Sequence, residues 1–141
     1  MAIPQPSPAP ARARKCVLVV EDNPLNMKLF SAMVESQGYD VLHAGDGRAA
    51  LDLARRQHPD LIIMDLQLPD MSGLDVTRCL KADWGTSDIQ VIATTAYALR
   101  GDEEKIRASG CDGYMAKPIA VSDLLDLIDE LITRSPRGPI A

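Results

Sequence analysis

Short runs of apolar residues alternate along this chain with longer segments whose apolar residues recur every three or four positions. Four of the runs lead directly to polar residues that can carry chemistry. In chain order they are Cys16-Val-Leu-Val-Val20 before Glu21 and Asp22, Leu61-Ile-Ile-Met64 before Asp65, Val91-Ile-Ala93 shortly before Thr95, and Gly113-Tyr-Met-Ala116 before Lys117. In an open parallel sheet, the carboxyl ends of the strands share one edge, where ligands bind. The pattern therefore predicts that residues distant in sequence meet in one small acidic pocket.

Helix signals between these runs complete the pattern. Asn23 with Pro24, and the later Asp46 and Ser72, are typical of helix starts, whereas Gly38 is typical of a helix end. The predicted helices are 24–37, 46–58, 72–83, 101–109 and about 121–132, and the predicted strands are 16–20, 39–44, 61–64, 89–94 and 113–116. Strands that alternate with helices in this way predict an α/β fold with a right-handed, doubly wound sheet of five parallel strands.

Composition agrees with one soluble domain. The 141 residues are 46% hydrophobic and 25% charged, which is sufficient for a single core. No apolar run approaches the roughly 20 residues of a membrane span. A net charge of -5 argues against a nucleic-acid partner, because phosphate binding needs clustered Lys and Arg. The three cysteines lack metal-ligand spacing and are expected to be free thiols.

The two ends of the chain differ in composition from its middle. Prolines occupy positions 4, 6, 8 and 10, with no apolar stretch that could form a signal-peptide core. We therefore expect 1–14 to be a disordered Pro/Ala-rich tail, 15–134 to be the folded domain and 135–141 to be a flexible end. A domain of this kind is expected in the cytoplasm.

The acidic residues at the predicted sheet edge indicate a metal site. Carboxylates held within a few ångströms of each other repel, which would raise a pKa or require a cation, and an all-oxygen ligand set suits Mg2+. We expect Asp22 and Asp65 to hold the metal, with Glu21 in the first or second coordination shell. With its charge neutralised, Asp65 can attack a phosphoryl donor, while Lys117 and Thr95 offer an ammonium and a hydroxyl to the phosphoryl oxygens.

Each of these residues also has a purely structural interpretation. Glu21 and Asp22 suit a helix N-terminus, Thr95 suits a strand, and Lys117 suits a solvated surface. These interpretations would have to hold independently at four strand ends. The joint placement of the residues therefore favours a functional site.

The motifs at these positions resemble those of the receiver domain of two-component response regulators. The matching segments are Val19-Val-Glu-Asp-Asn-Pro24, Leu61-Ile-Ile-Met-Asp65, Leu68-Pro-Asp-Met-Ser-Gly73, Thr94-Thr-Ala96 and Gly113-Tyr-Met-Ala-Lys-Pro118. The resemblance covers about 15–134 and implies the strand order 2-1-3-4-5 found in CheY, a member of the family. The segments at 21–30 and 101–107 are also similar to those of single-domain cell-cycle regulators within the family.

The resemblance implies a phosphoacceptor and a metal site. Asp65 is the implied phosphorylated residue. The implied ligands of Mg2+ (or Mn2+) are the side chains of Asp22 and Asp65 and the backbone carbonyl of Gln67, with Glu21 in the second coordination shell.

The resemblance also implies how phosphorylation is sensed. Thr95 is the implied switch residue that moves toward the phosphoryl group, and Tyr114 is the aromatic residue that follows it inward. Lys117 pairs with the phosphoryl group and precedes an implied cis Lys117–Pro118 bond. Tyr97, two residues after Thr95, is expected to lengthen the life of the phosphorylated state, because a ring there would exclude water.

A receiver signals through partners. Sensor histidine kinases, which can also act as phosphatases, or a phosphotransferase protein are the implied donors, and other proteins are the implied downstream targets. We expect the fourth helix, fifth strand and fifth helix to form the phosphorylation-dependent face, because the fourth helix has only Ile106 and Ala108 as apolar anchors. We expect a monomer or a weak phosphorylation-dependent dimer, with recruitment to a cell pole by partners.

The first helix suggests a second face, where a donor could dock. Its apolar residues spread beyond the roughly 100° stripe that a core needs. They are Leu25, Met27, Leu29, Phe30, Met33 and Val34. Met27, and Leu127 on the last helix, are equally compatible with an ordinary surface position.

Three alternatives compete with a single-domain regulator. A fragment of a hybrid histidine kinase is disfavoured by Met1 and by the short segment after residue 134. A haloacid-dehalogenase-type Mg2+-dependent phosphatase needs a second Asp two residues after its nucleophile, where this chain has Gln67. A degenerate receiver that acts only as a scaffold typically lacks the acid pair or the phosphoacceptor, and this chain has both. The expected chemistry is therefore self-catalysed phosphotransfer with slow autodephosphorylation.

Overall fold

The computed structural model describes residues 14–96 and 102–134. Its elements are β1 (Cys16–Val20), α1 (Pro24–Ser36), β2 (Asp40–Ala44), α2 (Gly47–Gln57), β3 (Leu61–Asp65), α3 (Gly73–Ala82), β4 (Gln90–Thr95), α4 (Asp102–Ala108), β5 (Gly113–Ala116) and α5 (Val121–Thr133). Each predicted strand and helix is present in the predicted order. Tyr97, residues 1–13 of the predicted tail and the predicted flexible end 135–141 lie outside the described residues.

The five strands form one parallel sheet in the order β2-β1-β3-β4-β5. This confirms the doubly wound α/β fold and the strand order 2-1-3-4-5. In the strand register, Val20 lies opposite both Ala44 and Met64, and Asp65 lies opposite Thr94. The carboxyl ends of β1, β3 and β4 are therefore nearly level, which brings the polar residues at those ends to one edge.

Side chains of the central strands alternate between two apolar layers. Val17, Val19 and Ile63 pack on one side of the sheet with residues of α1 and α5. Leu18 and Met64 pack on the other side with residues of α2 and α3. Because helices cover both faces, β1 and the first four residues of β3 are apolar throughout, as expected for buried parallel strands.

Helix α4 is held by less apolar contact than the other helices. Among its described side chains, only Ile106 is buried, with 2% of its surface exposed. The sequence predicts this scarcity of anchors, since α4 is otherwise almost entirely polar.

Two strands extend further than predicted, and both extensions concern the predicted pocket. Asp65 and Thr95 are the last residues of β3 and β4, not residues that follow the strands. Asp65 lies opposite Thr94 in the sheet, and Thr95 lies opposite Ala116. Sheet pairing therefore fixes the backbone at Asp65 and Thr95.

Helix α1 exposes two of its leucines. Leu25 and Leu29 are 65% and 51% exposed. Met27 and Leu127, whose positions the sequence left open, are partly buried against the core. The excess apolar surface of α1 therefore comes from the two leucines.

Within the described part of the chain, no helix combines the length and apolar character needed to cross a membrane.

Candidate functional site

Three carboxylates meet at the carboxyl edge of the sheet. Glu21 and Asp22 follow β1, Asp65 ends β3, and one oxygen from each lies within 4.8 Å of the other two. Glu21 and Asp65 are each only 3% exposed, whereas Asp22 faces solvent. The sheet topology thus brings together residues separated by more than 40 positions, as the strand-end pattern predicts.

Lys117 places a single ammonium group against this cluster. Its Nζ lies 3.3 Å from Glu21 Oε1 and 3.4 Å from Asp65 Oδ2. Three ionised carboxylates and one ammonium leave a formal excess of two negative charges. A divalent cation would balance that excess.

The electrostatics of Glu21 also favour an additional cation. Burial raises the pKa of Glu21, and repulsion by Asp65 raises it further. A hydrogen bond from the Asn23 N–H and the charge of Lys117 oppose the rise without cancelling it. Glu21 therefore remains under-compensated beside a single lysine, and bound positive charge would stabilise its ionised form.

Backbone N–H groups hold two of the carboxylates in place. The Gln67 N–H donates to Asp65 Oδ1 at 2.9 Å, and the Asn23 N–H donates to Glu21 Oε2 at 3.2 Å. Asn23 also caps α1 by accepting from the N–H groups of Leu25 and Asn26. The second oxygen of Asp65 points to Lys117, so the carboxylate is oriented from both sides.

The residues present fit a magnesium ion. The donors are all carboxylate oxygens, the ligand type that Mg2+ prefers, and they come from the ends of two neighbouring strands, β1 and β3. The exposure of Asp22 leaves an open side from which a metal or a phosphoryl donor could enter.

Of the predicted switch residues, Thr95 lies beside this cluster. Thr95 is 4% exposed, and its carbonyl accepts the Lys117 N–H at 2.7 Å, so the two residues are backbone neighbours. Tyr114, on β5, is half-buried. The Lys117–Pro118 peptide bond is cis.

The loop between β3 and α3 packs tightly against Asp65. A Cβ at Gly73 would lie only 2.3 Å from the Asp65 carbonyl oxygen, so Gly73 permits a close approach that a side chain would prevent. At the tip of the same loop, Asp70 accepts hydrogen bonds from the Gly47 and Arg48 N–H groups, and the bond from Gly47 is the largest cause of a lowered Asp70 pKa. Sequence reasoning assigned no role to Asp70, because its partners lie 23 and 22 residues earlier.

Comparison with known proteins identifies the class to which this fold and site belong. Residues 17–129 match the response regulator receiver domain model, and the chain belongs to that family of signalling domains. Among its relatives, the chain is 54% identical over 114 residues to the polar-differentiation response regulator DivK of Brucella ovis, an alignment that covers 81% of this chain and 93% of that protein. The DivK protein of Brucella anthropi is 53% identical over 114 residues, with the same coverage.

Solved receiver structures share the fold. The receiver domain of a sensor histidine kinase from Pseudomonas aeruginosa PAO1, solved with a magnesium ion coordinated in its active site cleft, is 38% identical with a TM-score of 0.80. That match covers 86% of this chain and 99% of the other. A CheY-like receiver from Methanospirillum hungatei JF-1 has a TM-score of 0.82 at 24% identity and covers 90% of this chain and all of its own, which shows the common fold.

Proposed function

We propose that this chain is a single-domain response regulator of a two-component phosphorelay, with Asp65 as phosphoacceptor and Mg2+ as cofactor. The observation that carries the proposal is the position of Lys117, whose ammonium lies 3.4 Å from Asp65 Oδ2 within a cluster of three carboxylates. The DivK similarity supports a stand-alone role, since the matched region spans 93% of that relative. The relatives' part in polar differentiation also supports a cytoplasmic protein that partners recruit to a cell pole.

The proposed reaction transfers a phosphoryl group from a phosphohistidine. An Asp65 oxygen attacks phosphorus, an acyl phosphate O–P bond forms, and the P–N bond breaks with its electron pair left on the imidazole. Bound Mg2+, held by Asp22, Asp65 and the Gln67 carbonyl, would supply positive charge to the phosphoryl oxygens. The Gln67 N–H keeps Asp65 oriented for the attack, and Lys117 binds a phosphoryl oxygen.

The residue two positions after the phosphoacceptor favours a switch over a phosphatase. Gln67 is exposed, and its amide side chain has no acidic proton to donate to a leaving group or to take from water. The acyl phosphate on Asp65 would therefore hydrolyse slowly and persist as a signal.

The face formed by α4, β5 and α5 is proposed to bind downstream proteins in a phosphorylation-dependent way. In this proposal, the Thr95 side chain moves toward the phosphoryl group, and Tyr114 turns inward into the space that Thr95 leaves. Tyr114 lies in a surface groove that runs from α4 to α5, lined by Arg107, Cys111, Asp112, Gly113, Tyr114 and Leu127. Because Ile106 is the only buried side chain among those described on α4, a small stabilising interaction made by Thr95 can shift the helix. Amide hydrogen exchange that is identical in α4 and β5 with and without phosphorylation would contradict this route.

Helix α1 is proposed as the docking site for the phosphoryl donor. The exposed Leu29 lies in a groove that leads to Lys117, with the other lining residues Asn26, Phe30, Met33, Pro118 and Ile119. An apolar donor helix seated there would bring its phosphohistidine toward Asp65. Leu29→Asp should slow phosphotransfer from a phosphohistidine donor and leave phosphorylation by acetyl phosphate unchanged, because the small molecule needs no docking surface.

Intact-mass spectrometry after incubation with acetyl phosphate and Mg2+ tests the proposed function. The wild type should gain one phosphoryl group, Asp65→Asn should gain none, and the matched control Asp75→Asn, at an exposed position on α3, should behave like wild type. Continuous release of phosphate without a stable adduct would indicate a phosphatase. No adduct and no turnover, even with a phosphohistidine donor, would indicate a scaffold.

A further inference from the structure

We propose that Asp70 is a positioning residue of the metal site, which holds the β3–α3 loop, and with it the Gln67 carbonyl, against the N-terminus of α2. The inference deepens the proposed function and rests on it, since the Gln67 carbonyl is a ligand only if Mg2+ binds as proposed.

The Asp70 carboxylate spans two N–H groups at the start of α2. Its Oδ1 accepts from Gly47 at 2.8 Å, and its Oδ2 accepts from Arg48 at 3.0 Å. The third N–H of the helix, that of Ala49, donates to Asp46 Oδ1 at 2.8 Å. The helix therefore has two carboxylate caps, one from its own N-cap residue and one from a loop more than 20 residues away. The second cap is a tertiary link between α2 and the loop.

The other end of the loop is fixed to the phosphoacceptor. Gln67 forms an antiparallel bridge with Ser72, and the Gly73 N–H donates to the Leu66 carbonyl at 3.1 Å, so the base of the loop is closed. The Gln67 N–H also donates to Asp65 Oδ1 at 2.9 Å. Gln67 therefore sits between the link to α2 at the loop tip and the link to Asp65 at its base.

Close packing reinforces the link at the tip. A Cβ at Gly47 would lie 2.4 Å from Met71 Cγ and 2.9 Å from Val76 Cγ2, so the loop lies directly on the first turn of α2. Apolar contact of this kind limits the distance between loop and helix but allows sliding. The two directed hydrogen bonds of Asp70 set the register.

Loss of the Asp70 carboxylate would remove both hydrogen bonds that tie the loop tip to α2, one to the exposed Arg48 N–H and one to the N–H of the buried Gly47. The Gln67 carbonyl would then sample more positions, and each metal-binding event would have to order it again. Partners that orient metal ligands typically change metal affinity by about 10- to 100-fold. Asp46 serves as the matched control, since its carboxylate caps the same helix through a local bond from the Ala49 N–H.

Calorimetric titration of the full chain with Mg2+ tests the inference. Asp70→Ala should raise the Kd for Mg2+ by about tenfold. Asp70→Asn, which keeps one oxygen acceptor, should raise it less, and Asp46→Ala should lower the Tm without changing the Kd. Phosphorylation by acetyl phosphate should require more Mg2+ for half-maximal rate in Asp70→Ala, with the same rate at saturating Mg2+.

The outcomes separate this inference from the proposed function. An unchanged Kd in Asp70→Ala and Asp70→Asn would overturn the role of Asp70, as would an equal rise in Asp70→Ala and Asp46→Ala, which would indicate general loosening. A wild type that binds no Mg2+ would overturn the proposed metal site and the inference with it.

Discussion

Replacing Thr94 with valine should stabilise this protein. Thr94 is fully buried near the end of β4, and within the described residues its Oγ1 has no hydrogen-bond partner. Valine has nearly the same shape as threonine and the same branching at Cβ, so we expect no shift of the strand backbone. The substitution exchanges an unpaired buried hydroxyl for a methyl group.

The magnitude follows from the environment of Thr94. An unsatisfied buried polar group costs about 1–3 kcal/mol, and burial of an added methyl group is worth about 0.8 kcal/mol. Partial relaxation around the hydroxyl lowers the gain, so Thr94→Val should raise the free energy of unfolding by about 1–2 kcal/mol. The corresponding rise in Tm is about 3–8 °C for a domain of this size.

Thr77 offers a matched control on the same protein. It is also fully buried, but its Oγ1 donates to the Gly73 carbonyl at 2.9 Å. Thr77→Val should therefore lower the free energy of unfolding by about 1 kcal/mol. Urea unfolding of the wild type and both variants without metal, followed by circular dichroism, gives the three free energies of unfolding. The comparison holds when the free energy falls with urea concentration at the same slope in all three proteins.

A Thr94→Val variant no more stable than the wild type, at an unchanged slope, would refute this reasoning. Equal changes in Thr94→Val and Thr77→Val would also refute it, because the hydrogen bond would then not be the deciding difference.

Three further predictions concern other parts of the molecule. Lys81→Met should lower the free energy of unfolding by about 2 kcal/mol, because the partly buried Lys81 ammonium binds Asp112 at 2.9 Å and the Ile89 carbonyl. Arg56→Met, which breaks an exposed ion pair with Asp52, should change it by less than about 0.5 kcal/mol. Urea unfolding midpoints measure both changes. Tyr39→Phe should lose less stability than the wild type as the pH rises above about 10. Burial and a hydrogen bond to a carboxylate raise the pKa of folded Tyr39 above its ordinary value, so at that pH the tyrosine ionises only in the unfolded chain. Urea midpoints from pH 8 to 11 would give parallel curves for the two proteins if this were wrong. Tyr97→Asn should shorten the half-life of the phosphorylated protein by admitting water, and equal decay rates in a mass-spectrometric time course would contradict it.

The fold was predictable because each of its signals is local. Unbroken apolar runs mark the buried strands, and Asn23, Asp46 and Ser72 each accept an N–H group of the helix that follows, as a helix cap should. Once the parallel order is given, topology alone brings Asp22 and Asp65 together at the sheet edge. The gathering of the acidic residues therefore required no knowledge of side-chain packing.

The features that sequence could not supply depend on contacts between distant elements. Asp70 caps a helix that precedes it in the chain, so no spacing rule connects it with Gly47. The width of the apolar stripe on α1 indicated an excess, but only the packing of α5 and the sheet shows that Leu25 and Leu29 are the exposed residues and Met27 is not. Such details are decided by which neighbour covers which face.

The close approach of Gly73 to the Asp65 carbonyl makes the packing around the proposed phosphoacceptor uneven. Toward α3 there is no free space, because even a Cβ would come within 2.3 Å of the Asp65 backbone oxygen. On the side of α4 the packing is weaker, because Ile106 is the buried residue among the described side chains of that helix. A displacement that starts at Asp65 is therefore expected to be taken up on the side of α4, where fewer apolar contacts hold the helix. We therefore expect the packing around Asp65, as well as the proposed chemistry, to direct any rearrangement toward α4.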